Sequence, residues 1–203
     1  MSQRSVASKR LLFIVTAGVL AAISTVLRFL ETPLPLIPSF LKLDFSNVPA
    51  LIGGLALGPL AGTAILVVKN LIYLPFSQTL GVGEVADFIV SLSLVLTASL
   101  IYKYKKNRKG AVIGMSTGSV IMSFAAGPLM NYFVLIPFYA AVYFGSSVDA
   151  IIDLAAVANP GINSLWAYIL YAVVPFNVIK CLAICIVTGL LYKPLSPLLH
   201  KYR

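Results

Sequence analysis

Long apolar runs separated by short polar stretches dominate the chain, and this pattern is typical of helices that cross a membrane. The runs predict six helices, near 10–30, 46–57, 59–76, 84–104, 111–143 and 170–192. They leave a proline-rich loop 1 at 31–45 and a stretch at 144–169 that we interpret as an outer cap. We therefore expect an all-α, polytopic integral membrane protein whose residues 1–203 form one transmembrane domain.

The stretch 46–76 decides the number of spans, because a single helix drawn through it would give five instead of six. Proline removes a backbone donor and disfavours helix at the residue before it, so a break at Gly58-Pro59 is physically reasonable. A single helix would put the basic run 103–110 on the side opposite the N-terminus, whereas the break keeps the two on one side. We therefore predict six spans.

The composition agrees with a membrane protein and gives its orientation. Hydrophobic residues make up 60% of the chain and charged residues 10%, against about 25% charged in ordinary soluble domains. The net charge of +9 comes largely from three clusters that contain no acid. These are Arg4, Lys9 and Arg10; Lys103, Lys105, Lys106, Arg108 and Lys109; and Lys193, Lys201 and Arg203. Basic clusters beside spans mark the cytoplasmic side, so we expect both termini there and no nucleic-acid partner.

The six acidic residues support this orientation independently, since acids contribute little to the rule that basic residues define. All of them fall outside or at the outer ends of the predicted helices. They are Glu31, Asp44, Glu84, Asp87, Asp149 and Asp153.

Two predicted helices have unusual lengths. The helix at 46–57 would rise only about 18 Å, too little for a hydrocarbon core of about 30 Å. The apolar, proline-rich segment before it is tolerated at membrane depth only if it is buried or lines a cavity. We therefore expect loop 1 to lie over an outer pocket; a surface loop touching headgroups is the alternative. The helix at 111–143 is too long, so it must tilt, protrude, or kink at Pro128 or Pro137.

Polar residues inside apolar spans are the candidate site, because such residues are costly in a membrane unless they serve a function. Asn131, Asn177 and Lys180 fall in the outer halves of their helices, and Glu84 and Asp87 lie at the outer start of another. Structural roles compete with ligand binding. The two acids could cap a helix, Asn131 could bond a neighbouring helix, and Lys180 could pair with an acid.

Amides and an ammonium group suit a ligand rich in hydroxyl and carbonyl groups, and aromatic side chains could hold a flat ring. The aromatic candidates are Phe40, Phe45, Tyr132 and Phe176. Lys69 is either an ion-pair partner or a ligand contact, and we expect Arg28 to snorkel at the outer end of its helix. Trp166 is expected in the outer cap, close to the pocket.

Several chemistries lack the residues they need. The sequence contains no GxxxxGK[ST] phosphate loop and only one histidine, His200. Cys181 and Cys185 lie one helical turn apart in an apolar run, so we interpret them as packing residues. We therefore expect no metal site and no enzyme, and any active transport would take its energy from a partner.

Four segments carry a family resemblance. They are FLKLDFSNVPALIGGLALGP at 40–59, NYFVLIPFY at 131–139, PFNVIK at 175–180, and an AxxxA pattern at Ala17 and Ala21. With them, nearly the whole chain resembles the substrate-binding S components of energy-coupling factor (ECF) vitamin transporters, in particular the riboflavin-specific branch.

The resemblance implies that riboflavin is bound as transported substrate, with no resident cofactor, in the plasma membrane of a prokaryote. It implies a coupling module of one transmembrane subunit and two ATPases as partners, docked at Ala17 and Ala21. The implied ligand-binding residues are Phe40, Leu41, Leu43, Asp44, Glu84, Asp87, Asn131, Asn177 and Lys180. The alternatives are an S component for another vitamin, and a standalone proton- or sodium-coupled carrier that uses Asp87, Glu84 or Lys69.

Overall fold

The computed structural model describes residues 3–33 and 41–200, with side chains described for 10–33 and 41–192. Seven helices follow one another in this part of the chain, with a two-residue antiparallel ladder in loop 1. The helices are α1 (Gln3–Phe29), α2 (Asn47–Leu57), α3 (Pro59–Tyr73), α4 (Val82–Tyr104), α5 (Arg108–Tyr143), α6 (Val148–Ala158) and α7 (165–200). In loop 1, β1 (Thr32–Pro33) pairs with β2 (Lys42–Leu43).

Five of the described helices are long and apolar enough to cross a membrane. They lie in α1, α3 with its following 3₁₀ turn, α4, α5 and α7, at Arg10–Phe29, Pro59–Phe76, Val82–Tyr104, Arg108–Tyr143 and Leu165–Tyr192. The expected helical membrane fold is thus confirmed. The short helix α2 is apolar but below this length.

Helix α2 is short because it is enclosed by protein. Every residue from Asn47 to Ala56 is buried, and the helix packs against α1, α3, α4 and α7. It ends at Gly58, whose φ of 107° lies in the region that side chains other than glycine avoid. Pro59 then occupies the first turn of α3, where a missing backbone donor costs nothing.

Helices α5 and α7 contain turns that are one residue wider than an α-helical turn. These π-helical turns are Met122–Ala126, Asn131–Leu135 and Ile169–Val173, and the prolines that follow them are Pro128, Pro137 and Pro175. A proline ring inside a regular helix clashes with the carbonyl four residues earlier. The wider turn just before each proline relieves that clash, so α5 stays continuous through Pro128 and Pro137.

Glycines let α4 and α5 pack closely. A Cβ added at Gly118 would lie 2.7 Å from the Leu94 carbonyl oxygen, and one at Gly114 would lie 2.7 Å from that of Ala98. This is the close approach that small residues permit between membrane helices. The contact fixes α5 against α4 below the polar part of the bundle.

The predicted docking pair lies on α1, and its two members differ in exposure. Ala21 is only 3% exposed and packs in the core, whereas Ala17 is half-buried. The neighbouring Gly18 and Ala22 are exposed on the same helix. Docking through Ala17 and Ala21 therefore remains a prediction, and only Ala17 of the two offers much surface.

Candidate functional site

A cavity of about 590 Å³ lies at the end of the bundle that carries loop 1. Its walls come mainly from α1, α4, α5 and α7, and the lining also includes Leu41 of loop 1, Tyr73 of α3, Thr79 of the loop before α4 and Ile151 of α6. This volume is in the usual range for small-molecule sites. The charged residues among its lining are Arg28, Glu31, Lys42, Glu84, Asp87 and Lys180.

Asp44 holds two of the cations in place from behind the cavity wall. Its Oδ2 accepts from Lys180 Nζ at 2.9 Å and from Arg28 Nη1 at 3.1 Å. Its Oδ1 accepts from the Ser46 backbone N–H at 2.8 Å and from the Ser46 hydroxyl. Burial alone would raise the pKa of Asp44, but the charges of Lys180, Lys69 and Arg28 outweigh it and hold that pKa well below its usual range. The carboxylate therefore stays ionised although its side chain is fully buried.

Asp87 on α4 is the second anion of this network. Its carboxylate lies 3.0 Å from Lys69 Nζ, 3.7 Å from Lys180 Nζ and 3.9 Å from Arg28 Nη1. Lys69 is fully buried and also donates to Ser46 Oγ at 2.7 Å and to Asn47 Oδ1 at 2.6 Å. The ion-pair alternative for Lys69 is thus the one observed, and the network joins α1, α3, α4 and α7 to the start of α2.

Arg28 corrects one sequence-based expectation. It does not snorkel towards the membrane surface, because its guanidinium pairs with Asp44 and Asp87 and its side chain is only 12% exposed. The same guanidinium lies 5.0 Å from the centre of the Tyr73 ring. At the rim, Lys42 pairs with Glu31 at 2.8 Å.

The two asparagines have their amide groups oriented by bonds within the protein. Asn177 Nδ2 donates to the Val173 carbonyl at 2.9 Å, and no described residue donates to its Oδ1. Asn131 Nδ2 donates to the Gly127 carbonyl at 2.9 Å, while its Oδ1 accepts from the Tyr168 hydroxyl at 3.3 Å. Asn177 therefore offers the cavity an acceptor, and Asn131 has a second N–H to donate.

Glu84 lines the cavity and holds the loop before α4. Its carboxylate accepts from Ser77 Oγ at 2.6 Å and from Thr79 Oγ1 at 3.3 Å, and the residue is buried. Gly81, in the left-handed region, begins the helix without a side-chain cap. Glu84 therefore binds side-chain hydroxyls of the preceding loop while facing the cavity.

The predicted site residues fall into three groups. Six of them line the cavity: Leu41, Glu84, Asp87, Asn131, Asn177 and Lys180. Leu43 packs beside the core next to the cavity, and Asp44 lies behind Lys180. Phe40 lies outside the described residues. Their roles in binding remain predictions.

Of the three aromatic candidates in the described part of the chain, one lines the cavity. Phe176 lines the cavity, whereas Phe45 is exposed and Tyr132 packs against Trp166 with 5.2 Å between ring centres. Trp166 is itself 64% exposed. Sequence reasoning missed Tyr139 and Tyr143, which line the cavity. They follow Asn131 by eight and twelve residues along α5, and this repeat of four was the signal that could have found them.

Comparison with known proteins shows that nearly the whole chain is similar to one group of transporters. A family model described as "ECF transporter, substrate-specific component" matches residues 12–192. The chain is 37% identical over 188 residues to "Riboflavin transporter RibU" of Staphylococcus aureus, covering 93% of this chain and 92% of that protein. It is 31% identical over 194 residues to "Riboflavin transporter FmnP" of Bacillus subtilis, covering 94% and 95%.

A solved structure resembles this fold over nearly its full length. It is described as "Structure and mechanism of the S component of a bacterial ECF transporter" and superimposes with a TM-score of 0.73 at 33% sequence identity. The match covers 94% of this chain and 98% of that one.

Proposed function

Because the chain belongs to the family of ECF transporter substrate-specific components, we propose that it captures riboflavin for import across a prokaryotic plasma membrane. Members of this family bind substrate and are not enzymes, so ATP hydrolysis falls to partner subunits. The relatives named above are riboflavin transporters that match this chain over more than nine-tenths of its length. The ligand would occupy the cavity beneath loop 1.

The observation that carries this proposal is the set of hydrogen-bonding groups in the cavity wall. Asn177 Oδ1 is an acceptor, and the donors Lys180 Nζ and Asn131 Nδ2 line the same cavity. The imide edge of a flavin ring presents a carbonyl, an N–H and a second carbonyl. One acceptor and two donors are the complementary set. Phe176 and Tyr139 add aromatic surface for the flat ring.

The charges around the cavity favour a neutral ligand. Four cations and four carboxylates either line the cavity or join its ion-pair network, so their formal charges cancel. The cations are Arg28, Lys42, Lys69 and Lys180, and the anions are Glu31, Asp44, Glu84 and Asp87. A neutral vitamin leaves this balance unchanged, whereas a phosphate group would add about two negative charges to it.

We propose six spans with both termini in the cytoplasm and the cavity at the outer face. The five long helices supply five of these spans, and α2 is the short sixth, shielded from lipid by its neighbours. The exposed basic segment from Lys103 to Lys109 then faces the cytoplasm. A reporter fused after Arg203 should be active only in the cytoplasm, and periplasmic or extracellular activity would reject this orientation.

The partners would be one transmembrane coupling subunit and two ATPases, with α1 as the docking helix. Of the predicted pair, Ala21 is packed in the core, so Ala17 with the exposed Gly18 and Ala22 would form the narrow face that a partner helix approaches closely. Replacing Ala22 with Leu should reduce uptake without changing ligand affinity. Equal uptake by the variant and the wild type would place the docking surface elsewhere.

The decisive experiment is to purify the protein in detergent, extract any bound flavin, and titrate the ligand-free protein with riboflavin. Saturable binding at sub-micromolar ligand, together with uptake that requires the ATPase partners, supports the proposal. Binding of a different vitamin only would point to another member of the family. Uptake that persists in cells lacking the ATPases would favour the standalone carrier.

A further inference from the structure

Gly127 lies where α5 meets the Asn177 amide of α7, with no room for a side chain. A Cβ added to Gly127 would lie 2.6 Å from Asn177 Nδ2 and 3.0 Å from Asn177 Cγ. It would also lie 2.9 Å from the carbonyl oxygen of Met122, which accepts the Gly127 N–H in the π-helical turn. All three distances are shorter than an ordinary van der Waals contact. The glycine at this position therefore allows α5 to reach the amide.

The Asn177 amide is held in its position by burial and by a hydrogen bond. Its Nδ2 is bonded to the Val173 carbonyl one turn back, and the residue is only 4% exposed. A methyl group at Gly127 would push directly against that Nδ2, breaking the bond or rotating the amide. Asn177 lines the cavity, and no described residue donates to its Oδ1, so either movement displaces the acceptor that Asn177 can offer a ligand.

We propose that Gly127 determines ligand specificity by holding the Asn177 acceptor in the position that receives an imide N–H. The inference rests on the proposed function, since it assumes that this acceptor hydrogen-bonds to the imide edge of a flavin ring. Gly127 is a positioning residue that acts through Asn177. Its effect is therefore selective: it governs binding of ligands that carry the N–H and matters little for ligands that lack it.

The test compares riboflavin with 3-methylriboflavin, in which the imide proton is replaced by a methyl group. A buried acceptor left without its donor weakens binding, so the wild-type protein should prefer riboflavin by roughly 10- to 100-fold. The Gly127→Ala variant should lose most of this preference, to within about 3-fold, because its acceptor no longer faces the imide. Affinities are measured by quenching of flavin fluorescence on titration with detergent-solubilised protein.

Gly118→Ala is the matched control. Gly118 lies on the same helix as Gly127. Its added methyl group would meet the Leu94 carbonyl oxygen of α4 at 2.7 Å, whereas Asn177 belongs to α7. We expect a lower melting temperature and an unchanged preference for riboflavin. A variant of Gly127 that keeps the wild-type preference would overturn the inference, as would a control that loses the preference equally.

Failure of this inference can be told apart from failure of the proposed function. If the wild type binds riboflavin tightly but 3-methylriboflavin equally well, the function stands and the role of Gly127 is rejected. If the wild type binds neither, both are rejected. If Gly127→Ala does not fold, the double variant Gly127→Ala with Asn177→Ser is tested next. This variant lacks the clashing amide and should fold. If it also misfolds, the clash with the Met122 carbonyl oxygen is responsible, and the proposed coupling of Gly127 to Asn177 is overturned.

Discussion

Replacing Asp44 with Asn removes a charge while keeping the shape of the side chain, in the fully buried centre of the ion-pair network. Lys180 and Arg28 lose a carboxylate at 2.9 Å and 3.1 Å. Removing one partner of a buried pair costs about 3–5 kcal/mol, because the other charge stays buried without compensation. We expect the lower end, since Asp87 still lies 3.7 Å from Lys180 and 3.9 Å from Arg28.

A loss of about 3 kcal/mol corresponds to a fall in melting temperature of roughly 6–12 °C for a chain of this size. The assay is thermal unfolding of the ligand-free protein in detergent at neutral pH. Lys42→Gln is the control, because Lys42 is 35% exposed at the rim and its partner Glu31 keeps a second cation, Arg28, at 3.5 Å. That change should cost less than about 1 kcal/mol.

A second variant tests the electrostatic cause. Adding Lys180→Met to Asp44→Asn removes the stranded cation, so the double variant should be more stable than Asp44→Asn alone. The reasoning is refuted if Asp44→Asn melts within about 2 °C of the wild type. It is also refuted if the double variant is no more stable than the single one.

Three further outcomes are expected. The difference in melting temperature between the wild type and Asp44→Asn should be largest near neutral pH and shrink as the pH falls below about 4. The pKa of Asp44 is lowered in the folded protein, so the ionised carboxylate stabilises the fold and this stabilisation is lost on protonation. A difference that stays constant with pH would contradict this. Lys180→Met and Asn177→Leu should each weaken riboflavin binding at least ~10-fold in flavin titrations, and unchanged affinity in both would reject the site. Gly58→Ala should cost about 1–3 kcal/mol despite open space around it, because its φ of 107° and ψ of 172° lie in a region that is essentially restricted to glycine; Gly189→Ala, in open space within regular helix, should show no loss when the two are compared by thermal unfolding.

Local sequence signals carry much of the fold. Apolar runs longer than 18 residues leave few alternatives to membrane helices, and the Gly58-Pro59 pair supplies a helix end and a helix start in adjacent residues. The depth of Asn131, Asn177 and Lys180 follows from counting along helices at a fixed rise. That count alone suggested they could share one cavity.

The role of Arg28 could not be predicted from positions along a single helix. An arginine near the end of an apolar helix snorkels unless a partner is brought to it, and its partners come from loop 1 and α4. The burial of Asp44 depends on the same long-range packing, which brings it to Lys180, 136 residues later in the chain. Pairing across such separations is a property of the assembled bundle, so periodicity along one helix contains no signal for it.

The wide turn at Asn131–Leu135 has a consequence for how such a cavity can evolve. Gly127, Asn131, Leu135, Tyr139 and Tyr143 all line the cavity at intervals of four, although four such steps along a regular helix would end about 160° away from the starting face. The extra residue in the wide turn takes up about 100° of that drift. Deleting one residue there would rotate the rest of α5 about its axis. Tyr139 and Tyr143 would then leave the cavity, and neighbouring side chains that now face lipid would enter it. A single insertion or deletion, or a wide turn that migrates along the helix, can thus exchange the lining of the cavity for a new ligand while every helix keeps its place in the bundle.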